Sequence, residues 1–153
     1  DDSKANPGKI NYGHTGAGGL PHLVGELFML RSGAKMTGVP YRSGGESVTA
    51  VLAKSIHTTL EGIAIVRNLV LEGKLRALAG QNRTRSPLLP DMPTMAEAGV
   101  ANCEANTFYG LAAPAGTPAS IVTKLNAAMN QGLATDEMQK TLTGIGSESR
   151  SSM

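Results

Sequence analysis

The sequence predicts an α/β fold, a three-layer sandwich in which helices cover both faces of a mostly parallel sheet. Two observations lead to this prediction. Short strand-like runs alternate with helical patterns, and their spacing leaves room for a crossover helix between parallel strands. The composition is that of a folded globular chain, with 41% hydrophobic and 17% charged residues in a total of 153. In such a sheet, ligands bind beyond the carboxyl ends of the strands.

The first predicted unit is a strand over 9–12, a glycine-rich turn over 13–19 and a helix. Pro21 suits the first turn of that helix, and leucines recur on one of its faces every third or fourth position. The other predicted elements follow in chain order: strands over 36–41, 56–60, 75–79 and 107–113, and helices after 43–45, over 63–72, from 117 and over 136–142.

Local signals mark where several of these elements begin and end. Gly73 is a plausible left-handed stop for the helix before it. Thr94 and Glu97 have the spacing of a capping box, which predicts one helical turn. Thr117 is expected to cap the long helix that follows, with Pro118 at its first position.

Composition and charge argue against several classes of function. The net charge of +2, from 14 basic and 12 acidic residues, is too balanced for a nucleic-acid binder. Cys103 is the single cysteine, so an internal disulfide and a multi-cysteine metal site are excluded. No apolar run approaches the roughly 20 residues of a membrane span. The first residues do not resemble a signal peptide, but an exported protein after cleavage would look the same, so the compartment stays open at this point.

The glycine-rich turn after the first strand is the most informative local feature. Successive glycines let backbone N–H groups converge in front of a helix N-terminus, an arrangement that suits a carboxylate or phosphate. Its spacing is neither that of a dinucleotide-binding loop nor that of a phosphate-binding P-loop. A tight turn that only needs positive φ is the alternative interpretation.

The remaining candidate residues have weaker signals. His14, His22 and His57 show no metal-ligand spacing, and His22 is more simply a packed or capping residue. No serine elbow or nucleophile–base set is present, so no catalytic residue is predicted, and Cys103 is expected to be an inert thiol. Glu61 stands at the carboxyl end of the third strand, either as a ligand contact or as a residue bonded to backbone or solvent.

Several motifs resemble the substrate-binding proteins of tripartite tricarboxylate transporters, the Bug (TctC) family. The resemblance covers about residues 4–146. The motifs that carry it are Pro7–Gly13, Gly16-x-Gly18, His22–Phe28, Val39–Arg42, Gly73–Ala79, Arg85–Gly99 and Gly110–Pro118.

The resemblance implies one lobe of a type II periplasmic binding protein. Residues 1–113 would form the ligand-binding second lobe, 114–146 a return segment that packs on the first lobe, and 147–153 a tail. Such receptors lie in the periplasm, close on a small carboxylate, deliver it to membrane permease subunits, and need no cofactor or metal. Binding of nucleic acid is not expected.

The same resemblance implies a set of ligand-binding residues. They are Tyr12, Gly13, His14, Thr15, Gly16, Gly18, Gly19, Ser43 and Glu61. Three departures from the family pattern involve this set: His14 replaces a small hydroxyl residue, Gly19-Leu20 replaces residues that commonly carry hydroxyls, and Ser43 precedes Gly44 where the reverse order is usual. Fewer hydroxyl donors leave more of the binding to backbone N–H groups.

The predicted single lobe has consequences for ligand affinity and oligomeric state, and two other functions stay open. One lobe alone leaves a bound carboxylate facing water, so binding by this chain should be weak or undetectable. The apolar face of the helix over 117–129 predicts a homodimer that covers Ile121, Leu125 and Met129. The alternatives are a truncated or remnant lobe that binds no ligand and, less favoured, a nucleotide-binding α/β enzyme domain.

Overall fold

A computed structural model describes residues 2–106, 109–147 and 149 of the chain. The chain divides into two compact units, residues 1–107 and 108–153. The division predicted after residue 113 on functional grounds stays a prediction.

The first unit contains a parallel sheet of three strands. Its elements are α1 (Asp2–Ala5), β1 (Ile10–His14), α2 (Leu20–Ser32), β2 (Met36–Pro40), α3 (Gly44–Leu52), β3 (Thr58–Thr59) and α4 (Ile63–Leu71). The strand order is β2-β1-β3, which places β1 in the centre. Tyr12 of β1 pairs in register with Gly38 of β2 and with Thr58 of β3.

Helices cover both faces of the central strand. Successive strand side chains point to opposite faces. Tyr12 packs against Gly25 of α2, where a β-carbon would lie 2.6 Å from the Tyr12 Cζ. A β-carbon on the next residue, Gly13, would lie 2.8 Å from the β-carbon of Ser47 in α3. The two helices therefore lie on opposite faces, which confirms the three-layer prediction for this unit.

The predicted starts of α2 and α3 and both predicted ends of α4 agree with the structure to within a few residues, whereas α1 was not predicted. Pro21 occupies the first turn of α2, which ends at Gly33 in the left-handed conformation with φ 72°. Gly73 follows α4 and has φ 70°. Thr94 and Glu97 make the predicted capping box, because each side chain accepts the backbone N–H of the other. The segment between them is a hydrogen-bonded turn.

Three strand predictions need correction. The third strand has two residues in place of the five predicted. The predicted fourth strand, 75–79, is not a strand; only an isolated bridge between Gly80 and Thr94 forms nearby. Of the predicted fifth strand, Thr107 and Phe108 lie outside the described residues and 109–113 form no strand, with Tyr109 91% exposed. A short apolar run becomes a strand only where a sheet edge can pair with it.

The second unit contains α5 (Ala119–Leu133) and α6 (Asp136–Gly144). The predicted cap of α5 is wrong by one residue. Pro118 is the N-cap, and the Thr117 hydroxyl donates to the carbonyl of Pro114 in the preceding turn. Thr135 caps α6 by accepting the N–H of Met138.

Candidate functional site at the carboxyl edge of the sheet

The loops that leave the three parallel strands gather at one edge of the sheet. They are the segments 15–19 after β1, 41–43 after β2 and 60–62 after β3. Because parallel strands end at a common edge, the predicted binding loops share this edge. The helices α2, α3 and α4 all begin there.

Three N–H groups of the loop over 15–19 already have partners. The Gly16 amide donates to Nδ1 of His14 at 3.1 Å, and the Gly18 amide donates to Nδ1 of His22 at 3.4 Å. The Gly19 amide donates to the Gly16 carbonyl. The two turn glycines have φ values of 105° and 80°, a region that favours glycine.

This arrangement corrects the expectation that the glycine amides of the loop are open to a solute. The histidines on either side of the loop accept two of those amides, and the loop's own carbonyl accepts a third. Thr15 and Ala17 lie between them and are exposed. In the part of the chain that the structure describes, no hydrogen bond involves the N–H of either residue.

His14 and His22 form a pair beneath the loop. Their ring centroids are 4.8 Å apart, and His14 is only 5% exposed. Nε2 of His22 lies 3.8 Å from a carboxylate oxygen of Glu26, one helical turn further along α2. The Tyr12 hydroxyl donates to the same oxygen at 3.2 Å. Burial, together with the charge and hydrogen bond of Glu26, raises the pKa of Tyr12 to about 12.

Glu61 ends a short chain of polar side chains on the other face of β1. The Ser47 hydroxyl lies 2.9 Å from Oε1 of Glu61 and 2.7 Å from the Thr59 hydroxyl. The Thr59 hydroxyl in turn donates to the Gly13 carbonyl at 3.3 Å. The Glu61 carboxylate also contacts Gly44 at the start of α3. Burial raises the pKa of Glu61, and its hydrogen bonds to the two hydroxyls partly oppose that rise.

The Ser43 hydroxyl has a structural partner of its own. It caps α3 by accepting the N–H of Glu46, whose carboxylate accepts the N–H of Arg42. The spacing Ser-x-x-Glu is a capping signal that was available in the sequence. Ser43 thus lies at the carboxyl edge, where its hydroxyl accepts a hydrogen bond from α3 and can still donate one.

The structure places the predicted site residues in three kinds of environment. Tyr12 is 0% exposed and Gly13 is buried, so both support the edge from within the core. His14 is buried and holds the loop, while Thr15 and Gly18 are exposed. Gly16, Gly19 and Glu61 are half-buried.

Sequence reasoning missed Ser47 and Thr59, which connect Glu61 to β1. A polar residue on the apolar face of α3 was the available signal for Ser47, since it lies one turn before Val51. His22 is the packed and capping residue that was expected, because its ring accepts a loop amide. His57 lies exposed, and its Nδ1 accepts the Asn11 amide at 3.0 Å.

Two surface depressions lie on the first unit. A shallow depression of about 750 Å³ lies beside α3, between Tyr41 and Ser55, and Ser43 lines it. A smaller one of about 250 Å³ lies along α2 near Leu30. The loop over 15–19 lines neither of these two depressions.

Residues 2–106, 109–147 and 149 contain no group of three or more His, Cys, Asp or Glu residues able to hold a metal ion. No helix among them is both long and apolar enough to cross a bilayer. Cys103 is completely buried, and burial raises the pKa of its thiol.

The sequence matches the tripartite tricarboxylate transporter family receptor over residues 1–152. The chain belongs to this receptor family. The family resemblance of the motifs is thereby confirmed. Among its relatives, BugT of Bordetella pertussis is 35% identical over 130 residues, which is 85% of this chain and 40% of BugT.

Solved structures agree with this family membership. A structure of a periplasmic transporter has a TM-score of 0.88 at 34% identity and covers 99% of this receptor chain and 51% of that chain. R. palustris Rpa4515 with adipate has a TM-score of 0.85 at 33% identity, covering 96% and 49%. These likenesses confirm the α/β fold class. The chain spans about half the length of these structures.

Proposed function

We propose that this chain is the ligand-binding lobe of a periplasmic receptor that binds small carboxylates and passes them to the membrane subunits of a tripartite tricarboxylate-type transporter. The protein acts as a receptor and carries out no reaction. Membership of the receptor family supports this proposal most strongly. The structural likeness to a protein solved with adipate supports a carboxylate as the solute.

The carboxyl edge supplies the donors that such a solute needs. Thr15 and Ala17 are exposed residues of the loop that precedes α2, and their amides donate no hydrogen bond within the described part of the chain. The N-terminus of that 13-residue helix carries partial positive charge. We assign the ligand contacts to the loop over 15–19, to Ser43 and to Glu61. Tyr12, Gly13 and His14 hold these contacts in place from the core.

A single wall limits the affinity. A carboxylate bound on an open edge keeps much of its hydration, and each hydrogen bond to it then contributes little net free energy. We therefore expect adipate to bind the 153-residue chain with a dissociation constant on the order of millimolar, equivalent to about 4 kcal/mol. Micromolar affinity would contradict this expectation.

A titration followed by NMR tests the proposed function. Sodium adipate is added to the ¹⁵N-labelled chain at constant ionic strength, with 1,6-hexanediol as the matched uncharged control. The expected result is a set of amide shifts at 15–19 and beside Glu61 with adipate alone. Equal shifts with the diol, or no shifts in the loop, would contradict carboxylate recognition.

The internal hydrogen bonds of the loop favour one alternative, a lobe that keeps its fold without binding a solute. Three of the loop amides are already engaged, which reduces the number of open donors. The same titration decides between the two functions, because an inert lobe shows no saturable shift at any adipate concentration.

We also infer that α5 pairs with a second copy of the chain. Its apolar side chains Ile121, Leu125 and Met129 recur along one face and are exposed. A face of this kind is self-complementary when two copies meet about a two-fold axis. Light scattering should give twice the chain mass at high concentration, and Leu125→Asp should restore the monomer. A strict monomer of the unmodified chain would contradict the inference.

A further inference from the structure

The two imidazoles beneath the loop hold its glycine amides in the same way. The Gly16 amide donates to Nδ1 of His14 at 3.1 Å, and the Gly18 amide donates to Nδ1 of His22 at 3.4 Å. A ring nitrogen accepts a hydrogen bond only when it carries no proton. Both rings are therefore neutral in this arrangement, with their protons on Nε2.

Protonation of either ring would reverse this relationship. An imidazolium ion has a proton on both nitrogens and can only donate. Nδ1–H of His22 would then face the N–H of Gly18, and the two donors could not stay within 3.4 Å without an acceptor. An oxygen of a bound carboxylate can accept from both donors, and the added positive charge attracts it.

His22 is better placed than His14 to take up the proton. Its side chain is 28% exposed, and Glu26 lies 3.8 Å from its Nε2 as a counter-ion. His14 is almost completely buried, and its ring centroid is only 4.8 Å from that of His22. Two imidazolium ions at that separation would repel each other. Hence one proton enters the pair, and it enters at His22.

The groups that face His22 come from two elements. From α2 it is faced by Glu26, and from β1 by His14. The Tyr12 hydroxyl reaches the pair through its hydrogen bond to Glu26, and it stays protonated because its pKa is about 12. His22 is thus the group of this cluster that is placed to accept a proton.

We propose that the loop over 15–19 binds a carboxylate together with one proton, and that His22 takes up that proton. The inference rests on the proposed function, because it concerns the same loop and the same class of solute. Binding coupled to the uptake of one proton makes the affinity rise as pH falls. The rise reaches about tenfold per pH unit.

An NMR titration of the chain with sodium adipate tests the proposal. The ¹⁵N signals of the imidazoles report where each proton lies, and the amides of Gly16 and Gly18 report the two hydrogen bonds. Sodium chloride at the same ionic strength is the control. Without adipate, the Gly18 amide should shift with the same pH midpoint as His22. With saturating adipate, that midpoint should move to higher pH.

Two variants separate the role of His22 from a general effect of histidine. His22→Gln keeps an acceptor for the Gly18 amide but cannot be protonated, so most of the increase in adipate affinity that the unmodified chain shows as pH falls should be lost. His57→Gln is the matched control, since His57 also accepts a backbone amide, that of Asn11, on an exposed part of the chain away from the loop. This control should keep the pH dependence of the unmodified chain.

The outcomes that overturn the inference differ from those that overturn the proposed function. If adipate shifts the loop amides equally at pH 5 and pH 8 and leaves the His22 midpoint unchanged, carboxylate binding stands and proton uptake is wrong. If adipate shifts no loop amide at either pH, both are wrong. The midpoint measurement on the unmodified chain decides the matter even if His22→Gln does not fold.

Discussion

The ring of Tyr12 lies against Gly25 so closely that any side chain at Gly25 would enter it. A β-carbon at this position would lie 2.6 Å from Cζ and 2.8 Å from the hydroxyl oxygen of Tyr12. The contact sets how closely α2 approaches the central strand. It also brings the Tyr12 hydroxyl to Glu26, and so connects the core to the histidine pair beneath the loop.

Gly25→Ala is expected to destabilise the chain by about 1–3 kcal/mol, because α2 must move away from Tyr12. Urea unfolding followed by circular dichroism measures the change in the free energy of unfolding. Gly132→Ala is the matched control in α5, since its added methyl group meets no atom within 4 Å. The control should gain roughly 0.5–1 kcal/mol from helix propensity alone. Equal effects of the two substitutions would contradict the tight contact.

Ser47→Ala is expected to cost about 1–3 kcal/mol, because it leaves Thr59 and Glu61 without their shared partner in a buried position. The loss is read from urea unfolding at neutral pH. Ser55→Ala, at an exposed position, should change the free energy of unfolding by much less. A Ser47 variant as stable as the Ser55 variant would show that the hydrogen bonds of Ser47 to Thr59 and Glu61 do not stabilise the fold.

Glu61 makes stability depend on pH in a defined direction. Burial raises its folded-state pKa above the ordinary value of 4.5, so the folded chain holds this proton more tightly than the unfolded chain does. The resulting stabilisation is present below pH 4.5 and is lost as pH rises through the raised value. Glu61→Gln resembles the protonated form. Its free energy of unfolding should therefore increase relative to that of the unmodified chain as pH rises.

Urea unfolding of the Glu61→Gln variant and the unmodified chain at acidic, intermediate and neutral pH measures this difference. Glu46→Gln is a control, because Glu46 accepts an exposed backbone amide on the outer side of α3. A difference between the Glu61 variant and the unmodified chain that stays constant with pH would show that burial does not shift the titration of Glu61.

Cys103 should react slowly with thiol reagents in the folded chain. Its side chain is completely buried, and desolvation raises the pKa of the thiol, so little thiolate is available at neutral pH. Labelling with a chromogenic disulfide should accelerate strongly when urea unfolds the chain. Equal rates for the folded and unfolded chain would place Cys103 at the surface.

The elements that carry their own boundary signals were predictable from the sequence. Pro21 and Gly33 delimit α2, and Thr94 with Glu97 forms a turn whose bonds are all local. Strands carry no such local signals, because their hydrogen bonds are made to another strand that cannot be identified from the residues of the strand itself. The run over 75–79 has the composition of a strand but finds no sheet edge.

The site was predictable in position more than in detail. The order of strands and helices places the loop over 15–19 at the carboxyl edge, as expected for a parallel sheet. The bonds of Ser47 to Thr59 and Glu61 depend on how α3 packs against β3, and no local pattern encodes that contact. The bonds from the Gly16 and Gly18 amides to His14 and His22 are local in sequence, but they depend on the backbone conformation of the loop, which the glycines leave open.

The two ring nitrogens that hold the glycine amides also give the loop a fixed shape before any solute arrives. A free glycine-rich backbone would lose much conformational entropy on binding. Here that loss has already occurred during folding. In the binding proposed above, a solute oxygen replaces the His22 nitrogen as the acceptor of the Gly18 amide, while His14 keeps the Gly16 amide and with it the shape of the loop.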